Sequence, residues 1–299
     1  VNSRAIVELR GVSHSFGSTH VLEPTNLDLA EGSFVSLVGP SGCGKSTLFN
    51  AVAGLLQPSA GSITIAGDDV TGAPGHVGYM MQKDLLVPWR TVLGNITLGA
   101  SLRGVRNDEV TARARQMAND YGLGDFLSHY PRALSGGMRQ RVAFMRTLAT
   151  EHDVVLLDEP FGALDNQTRG LMQELLLGIW ERERKTVVFV THDIGVAVEV
   201  SDRIGVMYAG KLVELGGVEQ MVDAPRHPYT RGLLASTVHG GMRGQRLEAI
   251  PGAPPDLSEV PTACSFAARC KHVEARCLGA VPPLSVIGAS HFVRCVMAA

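Results

Sequence analysis

Eight residues from Gly39 to Ser46, Gly-Pro-Ser-Gly-Cys-Gly-Lys-Ser, fit the spacing G-x-x-x-x-G-K-[ST]. Glycines at those intervals let successive backbone N–H groups turn inward around a polyphosphate. Lys45 would reach the outer phosphates and the Ser46 hydroxyl would ligate Mg²⁺. Cys43 occupies a variable position of the loop and reads as a small filler residue. Farther along, the apolar run after Asp153 ends in Asp158 and Glu159. An acidic pair there suits a metal-linked carboxylate followed by a base. Asp158 would hold Mg²⁺ through water, and Glu159 would orient and polarise an attacking water. His192 follows another apolar run, Thr-Val-Val-Phe-Val-Thr, and suits a contact to a terminal phosphate.

These side chains need rigid elements to aim them. Ser33 to Val38 reads as a buried strand, and apolar positions fall at helical spacing from Lys45 through Leu55. Strand, glycine loop and helix therefore occur in the order a phosphate cradle requires, with the helix N-terminus adding its positive dipole end. The acidic pair and His192 fall at the C-terminal ends of strands, where open α/β sheets place their ligands. The 299 residues are 45% hydrophobic, enough for a substantial core. A formal net charge of -2 gives no basic footprint for nucleic acid. No apolar run approaches the ~18 residues of a membrane span, and no signal segment opens the chain. The expectation is a soluble, cytosolic protein, held at a membrane only by a partner. Residues 1–235 alternate between strand and helix patterns, 236–262 form a Gly/Pro-rich linker, and 263–299 form a cysteine-rich tail.

At Leu134 to Arg141, Leu-Ser-Gly-Gly-Met-Arg-Gln-Arg, the sequence resembles the signature of ATP-binding-cassette (ABC) ATPases. The other family motifs are present in order along the chain. Phe16 resembles the aromatic that stacks on adenine, Gln82 the Q-loop glutamine, Asp165 the D-loop aspartate and His192 the switch histidine. The resemblance covers about residues 5 to 235. It implies an α/β fold of the P-loop NTPase class: a mixed sheet core, an antiparallel β subdomain, and a helical subdomain at about 89–149. It also implies that Gly39, Ser41, Gly42, Gly44, Lys45, Ser46 and Thr47 hold ATP. Ser46, Gln82 and Asp158 would hold Mg²⁺, and Glu159, His192, Gln82 and Lys45 would serve hydrolysis. Ser135, Gly136 and Gly137 would meet the nucleotide held by a second cassette, in a head-to-tail and most simply homodimeric pair. Met138 stands where the signature often has Gln; Ser135 and the glycine N–H groups, which suit an anion, are unaffected.

The segment Gln-Lys-Asp-Leu-Leu-Val-Pro-Trp after Gln82 is similar to importers of the nitrate, sulfonate and taurine type. The resemblance implies a cassette on the cytoplasmic face of the inner membrane, serving a permease and, indirectly, an extracytoplasmic substrate-binding protein. Leu86, Pro88 and Trp89 would lie at the permease. The tail instead resembles the C-terminal extension of oligopeptide, dipeptide and nickel importers, through His227 to Leu234 and Cys264, Cys270, Cys277 and Cys295. A reducing cytosol disfavours disulfides among these cysteines. Their spacing is not the C-x₂₋₄-C usual for zinc, whereas a four-thiolate iron–sulfur cage accepts varied spacing. The residues alone leave zinc and iron–sulfur open; the resemblance favours a [4Fe–4S] cluster. His272 and His291 read as bystanders. Two further readings stand as alternatives: an oligopeptide-type importer ATPase, and a soluble cassette ATPase acting on nucleic acid. A single cassette, no heptad run and near-neutral charge disfavour the second.

Overall fold

The computed structural model describes residues 4–105, 108–162, 164–237, 249–255 and 261–297. The chain divides into two compact units, one of residues 1–74 and 188–299 and one of residues 75–187.

The first unit contains two sheets. One is antiparallel, with strands in the order Thr19–Ala30, Ala5–Phe16, Ala60–Ile65 and Asp68–Asp69. The long strands alternate buried and exposed residues, the pattern of a sheet with one wet face. The second sheet is mixed. Phe34–Val38 runs parallel to Arg203–Tyr208, which pairs antiparallel with Lys211–Gly217. Thr186–Thr191 flanks Phe34–Val38 on its other side and crosses the division between the units. All five residues of Phe34–Val38 and all six of Thr186–Thr191 are buried, as continuous apolar strands must be when both faces are covered. Arg203–Tyr208 and Lys211–Gly217 are joined by Ala209 and Gly210, both at positive φ (49° and 74°), the geometry of a two-residue hairpin.

The tail, expected as an appended domain, builds into this sheet. Residues 236–262 fall mostly outside the described residues. Beyond them, His291–Val293 pairs antiparallel with Lys211–Gly217, and Ser285–Gly288 pairs with His291–Val293. Phe266 joins a buried cluster with Val38, Ile204, Val206, Tyr208 and Tyr229. Its ring meets Tyr208 edge-on at 5.4 Å. Burying a phenylalanine stabilises by about 1.5–3 kcal/mol, which a short tail with few large apolar groups cannot gain alone.

Glu214, fully buried, fastens this junction. It accepts from the backbone N–H groups of Arg226 (2.7 Å) and His227 (2.9 Å), and pairs with His291 Nε2 at 2.9 Å. A buried carboxylate is tolerable because its lone pairs are so occupied.

The second unit holds the parallel pair Gly78–Met80 and Val154–Asp158, with the helices Asp108–Asp120, Gly136–Leu148 and Asn166–Glu183. The expected helical subdomain at about 89–149 lies within it, opening on the short helix Val92–Ile96, which Thr91 caps by accepting from Gly94 N–H.

Candidate functional site

In the first unit, the loop after Phe34–Val38 feeds the helix Lys45–Val52. Gly44 caps that helix at φ 101°, a left-handed conformation only glycine adopts cheaply. Gly39 is required for a different reason: a Cβ there would lie 2.4 Å from the Met207 carbonyl oxygen. The helix ends at Val52, before the expected Leu55. Gly54 turns the chain at φ 70°, and Leu55 and Leu56 N–H both bond the Asn50 carbonyl.

Lys45 is buried at the loop's centre. Its ammonium donates to the carbonyls of Gly39 (2.7 Å) and Pro40 (2.9 Å) and to Cys43 Sγ (3.7 Å). The loop thus encloses a cation, the charge a polyphosphate needs. Burial pushes the Cys43 thiol up, keeping it protonated. Ser41, Gly42 and Ser46 are exposed on the loop and Thr47 is half-buried. His192, beyond the strand Thr186–Thr191, places Nδ1 2.9 Å from the Gly39 carbonyl. A carbonyl only accepts, so Nδ1 carries a proton. Phe16 is 55% exposed and meets His14 edge-on at 4.5 Å, an open aromatic face beside its strand end.

In the second unit, Asp158 ends the strand Val154–Asp158 and is buried. The neighbouring Tyr79, unmarked by the sequence reading, hydrogen-bonds its carboxylate; burial first, and Asp158 next, push the phenol well above its ordinary range. Its only sequence signal is its place on the short strand leading to Gln82. Glu159 sits at φ 50°, left-handed for a non-glycine residue, the kind of backbone strain that clusters at functional sites. Gln82 Nε2 donates to Glu159 Oε2 at 2.9 Å. The expected base and the expected Q-loop glutamine are therefore in direct contact.

Ser135 caps the helix Gly136–Leu148, accepting from Met138 N–H at 3.2 Å, with Ser135 and Gly136 exposed at the helix start. The same helix grips the segment after Gln82. Arg139 pairs with Asp84 (3.0 Å), Arg146 donates to the carbonyls of Asp84 and Leu85, and Gln140 donates to the Gln82 carbonyl. Sequence reasoning assigned these side chains no role. Leu86 packs inward, so it is not a surface contact, whereas Pro88 is exposed and Trp89 is 77% exposed. Asp165 caps the helix Asn166–Glu183, and bonds from Thr168 hold its carboxyl below the usual range.

Ser46 in the first unit and Asp158 in the second each carry an oxygen donor of the kind Mg²⁺ takes. The four tail cysteines lie in one another's electrostatic field. Burial pushes the Cys264 thiol up, a backbone bond from Phe266 pulls it back, and Cys277, Cys295 and Cys270 push it up again. Cys270 Sγ accepts from His272 N–H at 3.4 Å. Among the described residues no three His, Cys, Asp or Glu side chains form a group able to hold a metal ion, so the expected cluster has no assembled ligand set here.

A glycine loop around a buried lysine, and an acidic pair closing a buried strand, define a nucleotide-binding ATPase of the P-loop fold. The comparisons place it further. The family model described as "ABC transporter" matches residues 22–162, and one described as "Oligopeptide/dipeptide transporter, C-terminal region" matches residues 213–277. The taurine import ATP-binding protein TauB of Rhizobium johnstonii is 47% identical, covering 75% of this chain and 91% of that one. The aliphatic sulfonates import ATP-binding protein SsuB 2 of Pseudomonas aeruginosa is 40% identical, covering 87% and 92%. The dimeric ATP-binding cassette MJ0796, solved with ADP and Pi after hydrolysis, superposes with a TM-score of 0.65 at 34% identity, covering 71% of this chain and 98% of that one. The chain belongs to the ATP-binding subunits of ABC transporters. Among the described residues no helix is long and apolar enough to cross a membrane.

Proposed function

We propose that this cassette hydrolyses ATP to drive uptake of a small sulfonate, such as taurine, through a partner permease at the cytoplasmic face of the inner membrane. Two such chains would pair head to tail, each ATP lying between the loop Gly39–Ser46 of one and Ser135–Gly137 of the other. Lys45 and the loop N–H groups would bind the phosphates, with Phe16 against the base. Ser46, Gln82 and Asp158 would hold Mg²⁺, Glu159 would polarise water and His192 would meet the terminal phosphate. Residues 1–235 would act as the cassette and 263–299 as its tail, and an extracytoplasmic binding protein would deliver the substrate. The observation that carries the importer reading is Trp89: a large aromatic, 77% exposed, on a segment clamped by Arg139 and Arg146 from the signature helix. An exposed aromatic on a fixed support is a good interface anchor.

The test is transport in vesicles with a taurine-type permease reconstituted together with this chain. Trp89→Ala should keep ATP hydrolysis by the isolated cassette but lose co-purification with the permease and uptake of taurine. Retained assembly would sink the anchor, and uptake of dipeptides rather than taurine would favour the oligopeptide-type alternative.

A second reading concerns the tail. What supports a [4Fe–4S] cluster at Cys264, Cys270, Cys277 and Cys295, with zinc as the alternative, is the likeness of residues 213–277 to the C-terminal region of oligopeptide/dipeptide transporters. Such a cluster would supply a redox-active or structural centre. Protein purified without air should contain iron and acid-labile sulfide and absorb in the visible. A colourless protein with one equivalent of zinc would overturn the choice.

A further inference from the structure

A cavity of about 200 Å³ lies between the helix Pro228–Ala235 and the tail. The helix contributes Pro228, Arg231, Gly232 and Ala235, spaced as a single helical face. Ile250, Pro251, Phe266 and Arg269 supply an opposing wall. Gly232 is needed to keep the walls close, since a Cβ there would meet the Ile250 side chain at 2.9 Å.

The chemistry of this lining is one-sided. Phe266, Ile250 and the prolines form an apolar floor, and the charged side chains at its edge are cationic; among the described residues no carboxylate lines it. Arg269 spends its donors on neutral oxygens: Pro251 O at 2.7 Å, Ile250 O at 3.2 Å and the Tyr208 hydroxyl at 3.2 Å. Arg231 is exposed and donates Nε to the Pro225 carbonyl at 2.8 Å. Two guanidinium groups thus border an apolar hollow with neutral hydrogen-bond partners and, among the described residues, no ion pair. Planar forks of this kind recognise carboxylate and sulfonate oxygens in pairs. The volume is below the 300–1,000 Å³ typical of drug-sized ligands, so it suits a small molecule.

We propose that this cavity binds a small organic anion, a sulfonate or carboxylate on a short apolar body, with Arg231 as its principal charge partner. The test is calorimetry on the full chain with ADP and Mg²⁺ saturating the nucleotide site. The probes are butanesulfonate and butyrate, with butylammonium as the cation control. One saturable anion site per chain is expected, in the millimolar range or tighter, with no heat from butylammonium. The tighter of the two anions assigns the headgroup. Arg231→Gln, at an exposed position, should weaken binding about tenfold with an unchanged thermal midpoint. Lys45→Ala should leave it intact. Absence of saturation at 20 mM would overturn the proposal. So would equal binding of butylammonium, undiminished binding in Arg231→Gln, or loss of binding in Lys45→Ala.

Discussion

Glu159 carries two costs at once: a left-handed backbone at φ 50° and a carboxylate fixed by Gln82 at 2.9 Å. Both hold one oxygen-bearing group in place, which is what a residue aligning water requires. Glu159→Gln keeps the shape and the strain but removes the charge. ATP binding should be retained, and turnover in a phosphate-release assay should fall by about 10²–10⁴. Turnover near wild type would refute the base assignment. Tyr79 presents a smaller and more specific case. Tyr79→Phe removes the hydroxyl that bonds Asp158. The carboxylate that would serve Mg²⁺ then loses a fixed partner, and groups that hydrogen-bond a metal's ligand are typically worth about 10–100-fold in metal affinity or activity. A Mg²⁺ titration of ATP hydrolysis should shift to higher concentration while the rate at saturating Mg²⁺ changes less. Asp158 and Glu159 were legible in the sequence because an acidic pair after an apolar run is a chemical anomaly. Tyr79 was not, because a tyrosine on a strand looks like any half-buried aromatic.

The hairpin at Tyr208–Lys211 connects two jobs. Gly210 N–H donates to the Cys43 carbonyl in the phosphate loop at 3.1 Å, and its own carbonyl accepts from Glu23 N–H at 2.9 Å. Tyr208, two residues earlier, packs against Tyr229 and Phe266 from the far side. A Cβ on Gly210 would lie 2.8 Å from the Val21 carbonyl oxygen, in a left-handed conformation at φ 74°. Gly210→Ala should therefore destabilise by about 1–3 kcal/mol and raise the KM for ATP, both measurable by denaturant unfolding and steady-state kinetics. An unchanged KM would show that the loop does not depend on the hairpin. That a turn 167 residues downstream supports Cys43 was not legible in the sequence, since hydrogen bonds between backbone atoms leave no trace in residue type.

Across the whole molecule, the tail belongs to the first unit through backbone pairing, aromatic packing and the buried Glu214. This junction carries a pH dependence. Burial, followed by Arg294, pulls His227 down to about 3, and its Nδ1 accepts from Tyr229 N–H at 3.1 Å. Its ordinary value of 6.5 applies once the chain unfolds. Between these two values the unfolded chain binds the extra proton, so stability rises with pH across that window and is complete above about 6.5. Denaturation midpoints should fall from pH 6.5 toward pH 4 with a slope of up to about 1.4 kcal/mol per pH unit from this residue. His227→Asn, which cannot protonate there, should flatten that slope. An identical slope would place the titration elsewhere.

The sequence pointed to the chemistry. The loop Gly39–Ser46, the pair Asp158–Glu159 and His192 are local patterns of residue type and spacing, whereas Gln82 and Ser135–Gly137 stand out through the resemblance to ABC ATPases. Phosphate chemistry fixes such patterns, because few side chains bind polyphosphate, hold Mg²⁺ or polarise water. The buried strands were legible for a similar reason, since apolar runs of that length have few other uses. Folding, not residue pattern, settles which of these groups touch, that Leu86 turns inward while Trp89 stays out, and that the tail extends a sheet. Each is an outcome of packing between segments far apart in the chain. Tail strands as short and mixed as Ser285–Gly288 and His291–Val293 carry too little alternation to announce a partner. Their place is set by the open edge of Lys211–Gly217 and by Glu214, whose buried charge requires the donors that His291 and the turn at Arg226 and His227 bring to it.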